Sequence, residues 1–307
     1  MILYDRNRWF SAVFSWRGTA LRRAKWRVLS MAVYAGIIQA AYEVGVSLRG
    51  VKFKDFFGLD PGQQAVLGSL VGFLIVFRMN ASNNRFWEGR TYWGQIINAC
   101  RNLVRVGVAY TDRGAELADL VAGYVECLRH SLQGNESMAE LEVYLPRELT
   151  RQVMRYGNPP TCVALAITAW IEREYREGRL NPQIVRQLED QMANLVNAQG
   201  ACERILKTPL PFAYVVMIKQ LIMVYLLSLP FAVGNISGWW SPVLMAIIAL
   251  GLFGIEEASV EIEDPFGKDE NCLDMETFTM RIARDAGQMA DTKSAIVAIG
   301  LGSGRSI

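Results

Sequence analysis

The chain has 307 residues, of which 51% are hydrophobic and 20% charged, with a net charge of +2. A net charge this small gives the chain no global polyelectrolyte character, so nucleic acid is not an expected partner. One histidine, His130, and five widely spaced cysteines (Cys100, Cys127, Cys162, Cys202, Cys272) give no support to histidine-based catalysis or a zinc site, and the thiols read as buried and reduced.

The apolar residues are clustered, and the clusters set the class. The first apolar segment runs from Val28 to about Leu48, broken only by Glu43, behind Arg6, Arg8, Arg17, Arg22, Arg23, Lys25 and Arg27. That basic excess predicts a cytoplasmic flank. The second runs from Pro61 to Phe77 without a charge. Within it Ser69, Phe73 and Phe77 recur at i, i+4 and i+8, on one helix face, beside Gly68 and Gly72. Ordinary helix packing in lipid and a ring of apolar side chains around an oligomer axis both fit that spacing.

Residues 78–211 read as helices throughout. Asn158-Pro159-Pro160 interrupts the pattern, and Asn181-Pro182 starts a new helix with a capping side chain and a proline at its first position. Pro209 and Pro211 end that helix near Leu206, because each lacks a backbone donor and constrains its predecessor. A third apolar segment follows from Phe212 to about Val233, with Lys219 about 10 Å along it. Lys219 either snorkels to the interface or faces the protein interior.

From Gln220 to Ile255 no side chain is charged. About 20 residues of helix cross a bilayer, so this stretch is predicted to hold two spans joined by a turn at Pro230, Gly234, Asn235, Gly238 and Pro242, with Trp239 and Trp240 at the interface. The four spans cover about 28–48, 61–77, 212–233 and 240–255, within a single unit, and leave 78–211 and 256–307 cytosolic with both termini inside. Glu257 and Glu261, at i and i+4, read as the solvated end of the fourth span, and the "AIGLGSGRSI" tail as a flexible end. The class is all-α.

Four motifs occur in order: "FSWRGT" (Phe14–Thr19), "RFWEGRTYWG" (Arg85–Gly94), "CERILKTPLPFAY" (Cys202–Tyr214) and "EDPFGKDEN" (Glu263–Asn271). With four spans, they resemble the bestrophin family in its prokaryotic branch, over nearly the whole chain. The resemblance implies a homopentameric ion channel around a central pore, with a hydrophobic neck at Ser69, Phe73 and Phe77. Serine at the first position departs from an all-apolar neck and makes the outer ring more wettable. The resemblance also implies a cytosolic aperture at Gln183, with Ile184 second. A calcium clasp would fall on Glu261, Asp264, Asp269 and Asn271. Lys268 replaces one acid of that clasp and Cys272 stands at the last, so no cofactor is required and tight calcium gating is not expected.

The family's conductance makes chloride or another small anion the expected ion. A cation-selective channel of the same architecture and a non-conducting membrane scaffold or sensor are the alternatives. No compact set of nucleophile, base and oxyanion donors points to an enzyme. The expected partners are further copies of the chain, the lipid bilayer and small inorganic ions, in a cell membrane, the inner one if bacterial.

Overall fold

The computed structural model describes residues 10, 18–49, 59–135 and 139–300, which form nine α-helices and no strand. The all-α expectation holds among them. The arginines before Gly18, most of "FSWRGT", the connection at 50–58 and the end of the glycine-rich tail lie outside the described residues. The helices are α1 (Leu21–Arg49), α2 (Pro61–Tyr110), α3 (Gly114–Leu132), α4 (Arg147–Arg155), α5 (Pro159–Arg176), α6 (Pro182–Lys207), α7 (Phe212–Ser237), α8 (Ser241–Glu263) and α9 (Met275–Gly300). Helices α1, α2, α7 and α8 are each long and apolar enough to cross a membrane.

Helix α2 continues for 33 residues beyond the predicted span end at Phe77. Arg78 ends the apolar run, but no proline follows to end the helix. The chain divides into two compact units, and α2 contributes to both. The first holds residues up to Phe86, Pro209–Asp264 and Asp269–Cys272; the second holds Trp87–Thr208, Pro265–Lys268 and Leu273 onward.

In the first unit α1 packs on α7 and α8. Val71 and Ile75 of α2, Ile222 and Leu226 of α7, and Met245 and Phe253 of α8 form its buried apolar centre. The turn predicted to begin at Pro230 lies later, because α7 carries that proline inside the helix. Its missing N–H leaves the Leu226 carbonyl without its helical donor, and neighbouring helices bond the carbonyls on either side of it. Tyr34 of α1 donates its hydroxyl to the Leu227 carbonyl at 3.0 Å, and Gln64 of α2 donates to the Tyr225 carbonyl at 3.0 Å. The chain reverses at Gly238, whose φ of +51° is a left-handed conformation suited to glycine. Exposed Trp239 and Trp240 follow it.

In the second unit α3 packs on α5, α6 and α9, and α5 also packs on α4 and α6. Trp93, Ile96, Leu103, Tyr124 and Trp170 are buried there. Gly107 of α2 permits close approach: an added Cβ would lie 2.1 Å from Leu117 Cδ2. The cap expected at Asn181 forms, and a second forms at Asn158, where the sequence suggested a break. Asn158 accepts from the Thr161 N–H and Asn181 from the Ile184 N–H, with a proline at the start of each helix. Gln199 of α6 accepts from the Tyr124 hydroxyl at 2.7 Å and donates toward Thr161 at 3.1 Å and Glu203 at 2.8 Å. All five cysteines are free and buried. Burial raises the Cys127 and Cys202 thiols to about 12, so they stay protonated at neutral pH.

The fully buried Glu174 carboxylate accepts both of its strongest bonds from Arg179, Nε at 2.6 Å and Nη2 at 2.7 Å. Those bonds hold its pKa below the ordinary value against the opposing effect of burial. A depressed carboxylate stabilises the fold above its unfolded pKa, and that stability is lost as pH falls through the folded value. Glu174→Gln is expected to cost about 2 kcal/mol at pH 7, the scale of a charge-assisted bond partly screened at Arg179. Thermal melts of wild type and variant should differ most above about pH 5 and converge in acid; a difference independent of pH would refute the assignment.

Candidate pore-lining helix and its charge network

Two faces of α2 have opposite characters in the first unit. Gln64, Val71, Ile75 and Arg78 are buried on one face. Ser69, Phe73 and Phe77 are exposed on another, with Phe73 at 61% and Phe77 at 49%. The two phenyl rings meet edge to face with centroids 4.5 Å apart, a favoured aromatic arrangement. The Ser69 hydroxyl donates to the Ala65 carbonyl of its own helix at 2.8 Å. Its proton is therefore engaged within the helix, which reduces the wettability expected of a free hydroxyl. Of the two glycines beside this face only Gly68 makes a close approach, since an added Cβ would lie 2.9 Å from Tyr225 Oη. At Gly72 that space is open.

The buried face is held by charge. Arg78 follows Phe77 directly and is 1% exposed. Its Nε donates to Ser259 Oγ at 2.8 Å, and its Nη2 lies 3.7 Å from Glu256 and 3.6 Å from Glu263, all on α8. Glu256 also meets Arg27 of α1 at 3.5 Å and Lys219 of α7 at 3.4 Å. Lys219 thus pairs across helices. Arg27 pairs with Glu257 as well, and Arg23 lies 3.8 Å from it. Glu257 and Glu261 are both buried, so this end of α8 is not the solvated helix end that the sequence suggests. Its acids are covered by basic side chains from preceding helices. Glu263 accepts from the Leu210 N–H at 3.1 Å, and its carbonyl accepts from Arg85 at 3.1 Å. It thereby holds the Pro209–Pro211 segment ahead of α7.

The clasp positions share this neighbourhood, with little room for a cation. Asn271 turns its amide donor toward Glu261 at 3.1 Å and the Gly18 carbonyl at 2.9 Å. Arg23 donates to Asp269 at 2.7 Å. Cys272 donates to the Asp264 carbonyl at 3.2 Å, and burial lifts its thiol to about 11, so it supplies no negative charge at neutral pH. Calcium takes about six to eight oxygen ligands. Here a guanidinium and an amide nitrogen already engage two of the acids, and the set does not fit that ion.

Of the aperture positions in the second unit, Gln183 is exposed and Ile184 is 9% exposed, packed within its own chain. In the same unit, the Pro-Phe-Gly motif meets the "RFWEGR" motif. An added Cβ at Gly89 would lie 2.8 Å from Pro265 and 3.2 Å from Phe266.

The charge network was not identified from sequence. Its available signal was Arg78 at the end of an apolar run, together with the acids from Glu256 to Glu263 after another. Arg78→Met should destabilise the chain by about 3 kcal/mol, because it leaves buried carboxylates short of a counter-charge. Adding Glu256→Gln should recover part of that loss in denaturant titrations of detergent-solubilised protein. Strictly additive losses would show that the two side chains do not interact.

Comparison with known proteins assigns the fold and the family. The sequence profile of the bacterial and fungal bestrophin proteins matches residues 1–288. A voltage-dependent anion channel-forming protein of Nostoc sp. is 31% identical over 91% of each chain. One of Synechocystis sp. is 34% identical over 87% of each. The crystal structure of a bacterial bestrophin homologue from Klebsiella pneumoniae superposes with a TM-score of 0.79 at 24% identity, covering 87% of this chain and 98% of that one. The likeness to that structure concerns the fold, whereas the profile covers nearly the whole sequence: this chain belongs to the bestrophin family, in its bacterial and fungal branch.

Proposed function

We propose that the chain assembles as a homopentameric anion channel of the cell membrane, with both termini cytoplasmic and a neck formed by Ser69, Phe73 and Phe77. The carrying observation is the exposed Phe73–Phe77 pair on α2, opposite a face held by the Arg78 network. Two phenyl rings exposed side by side on a spanning helix need lipid, a partner or a pore lumen against them. Five copies around an axis would make each position a ring, and such rings gate ions by dewetting. Gln183 would form a second, polar ring that filters less by dehydration.

An apolar ring has little preference for the sign of an ion, so selectivity comes from charges near the path. The acids of α8 are the residues that would favour cations. Arg23, Arg27, Arg78 and Lys219 offset them. That neutralisation favours the anion reading over the cationic one, in line with the names of the relatives. The Arg23–Asp269 and Asn271–Glu261 contacts support conduction without calcium.

Planar-bilayer recordings in a chloride gradient test the proposal. Wild type should reverse near the chloride potential, Phe77→Ala should raise conductance severalfold, and calcium chelation should leave the current unchanged. Reversal at the cation potential would transfer selectivity to the acids. An absence of current from both proteins would favour a membrane scaffold.

A further inference from the structure

The second unit contains a cluster that the channel reading does not use. Glu126 and His130 lie one turn apart near the end of α3, and Glu140 belongs to the 3-10 turn Ala139–Val143. Their ligand atoms all lie within 4.8 Å of one another, the one such group of three found among the described residues. His130 is 1% exposed, and its Nε2 lies 3.0 Å from Glu126 Oε1 and 3.3 Å from Glu140 Oε2. The other ring nitrogen, Nδ1, is buried without a hydrogen-bond partner among the described residues. The polar contacts of the ring are therefore all on the Nε2 side.

One atom occupies the point where the three groups converge. Arg129 Nη2 donates to Glu126 Oε1 and to Glu140 Oε2 at 2.6 Å, and it lies 3.1 Å from His130 Nε2. A guanidinium nitrogen of this kind carries two protons, yet three acceptor-capable atoms surround it. If Nε2 is unprotonated, one contact lacks a proton. If it is protonated, it donates to Glu126 Oε1 at 3.0 Å, an oxygen that also accepts from Arg129 Nε at 3.1 Å and from Nη2, so three donors crowd one carboxylate oxygen. A single ion that accepts lone pairs from all three removes the conflict. An imidazole nitrogen with two carboxylates suits zinc and its first-row neighbours, whereas calcium and magnesium prefer all-oxygen shells.

We propose that Glu126, His130 and Glu140 bind one divalent transition-metal ion of the zinc type. Arg129 is the internal cation that holds the place without metal and withdraws when metal enters. Three protein ligands to a tetrahedral ion leave its fourth position for water, as in three-ligand zinc sites.

Calorimetric titration of zinc chloride into chelator-treated, detergent-solubilised full-length protein tests this. Wild type should bind one zinc per chain. Glu140→Gln should weaken binding at least about tenfold, with its melting temperature in chelator unchanged, because the Glu140 side chain is 66% exposed. Arg129→Gln should bind tighter than wild type, since its competitor is gone. Cobalt(II) should give visible ligand-field absorption with wild type that is lost in Glu140→Gln. No zinc binding by wild type would overturn the proposal. Equal affinity in wild type and Glu140→Gln would also overturn it, marking the zinc as adventitious. Glu140→Gln decides the matter even if Arg129→Gln fails to fold, and the readout does not depend on ion conduction.

Discussion

Arg78 is a guanidinium with almost no access to solvent, in the first unit, directly after an exposed phenylalanine. An isolated buried charge costs several kcal/mol, so the arginine is tolerable only with its counter-charges in place. Those counter-charges lie on α8, and the same acids engage Arg27 of α1 and Lys219 of α7. Each apolar helix of the unit therefore brings a charged group to a common point. Apolar contacts alone would hold such helices loosely in register, because lipid tails are as apolar as leucine. The ionic contacts penalise every register but one. They add specificity more than net stability, and they set which face of α2 is left exposed.

The legible parts of the fold were those governed by local chemistry. Asn181 was readable as a cap because a side-chain acceptor before a proline at a helix start has one favourable local use, and the same chemistry at Asn158 was read only as a break. The break at Pro209 and Pro211 was readable because two missing donors cannot be accommodated in one helical turn. Pro230 has the same chemistry and the opposite outcome. The helix around it is braced by Tyr34 and Gln64, distant in sequence, which bond the carbonyls flanking Leu226, and no local pattern reveals that. The extent of α2 was hidden for another reason: hydropathy reports where a span ends, and a helix continues until something breaks it.

The candidate site was legible in position and less so in chemistry. Spacing placed Ser69, Phe73 and Phe77 on one face, and they are exposed together. What the serine does with its proton depends on Ala65 one turn away and on the local backbone. The acids of α8 looked like a solvated helix end because sequence shows their number but not their partners. Most of the partners, Arg23, Arg27 and Arg78, come from more than a hundred residues earlier, and Lys219 comes from the preceding helix. The Glu126, His130 and Glu140 group was missed likewise, since a single histidine gives no repeating ligand pattern and its acids are split between a helix and a separate turn.

The carbonyls around Pro230 also bear on the order in which the unit can be built. Helix α7 carries a proline in its interior, and side-chain donors from elsewhere brace the carbonyls beside the one it orphans. The donors, on α1 and α2, are synthesised first. By the time Pro230 leaves the ribosome, Tyr34 and Gln64 already belong to earlier segments. A rearranged chain with α7 ahead of them would leave the weakened turn before Pro230 without this bracing until its partners arrived. The order of these helices in the sequence is thus also a workable order of insertion, with the most dependent helix following those on which it relies.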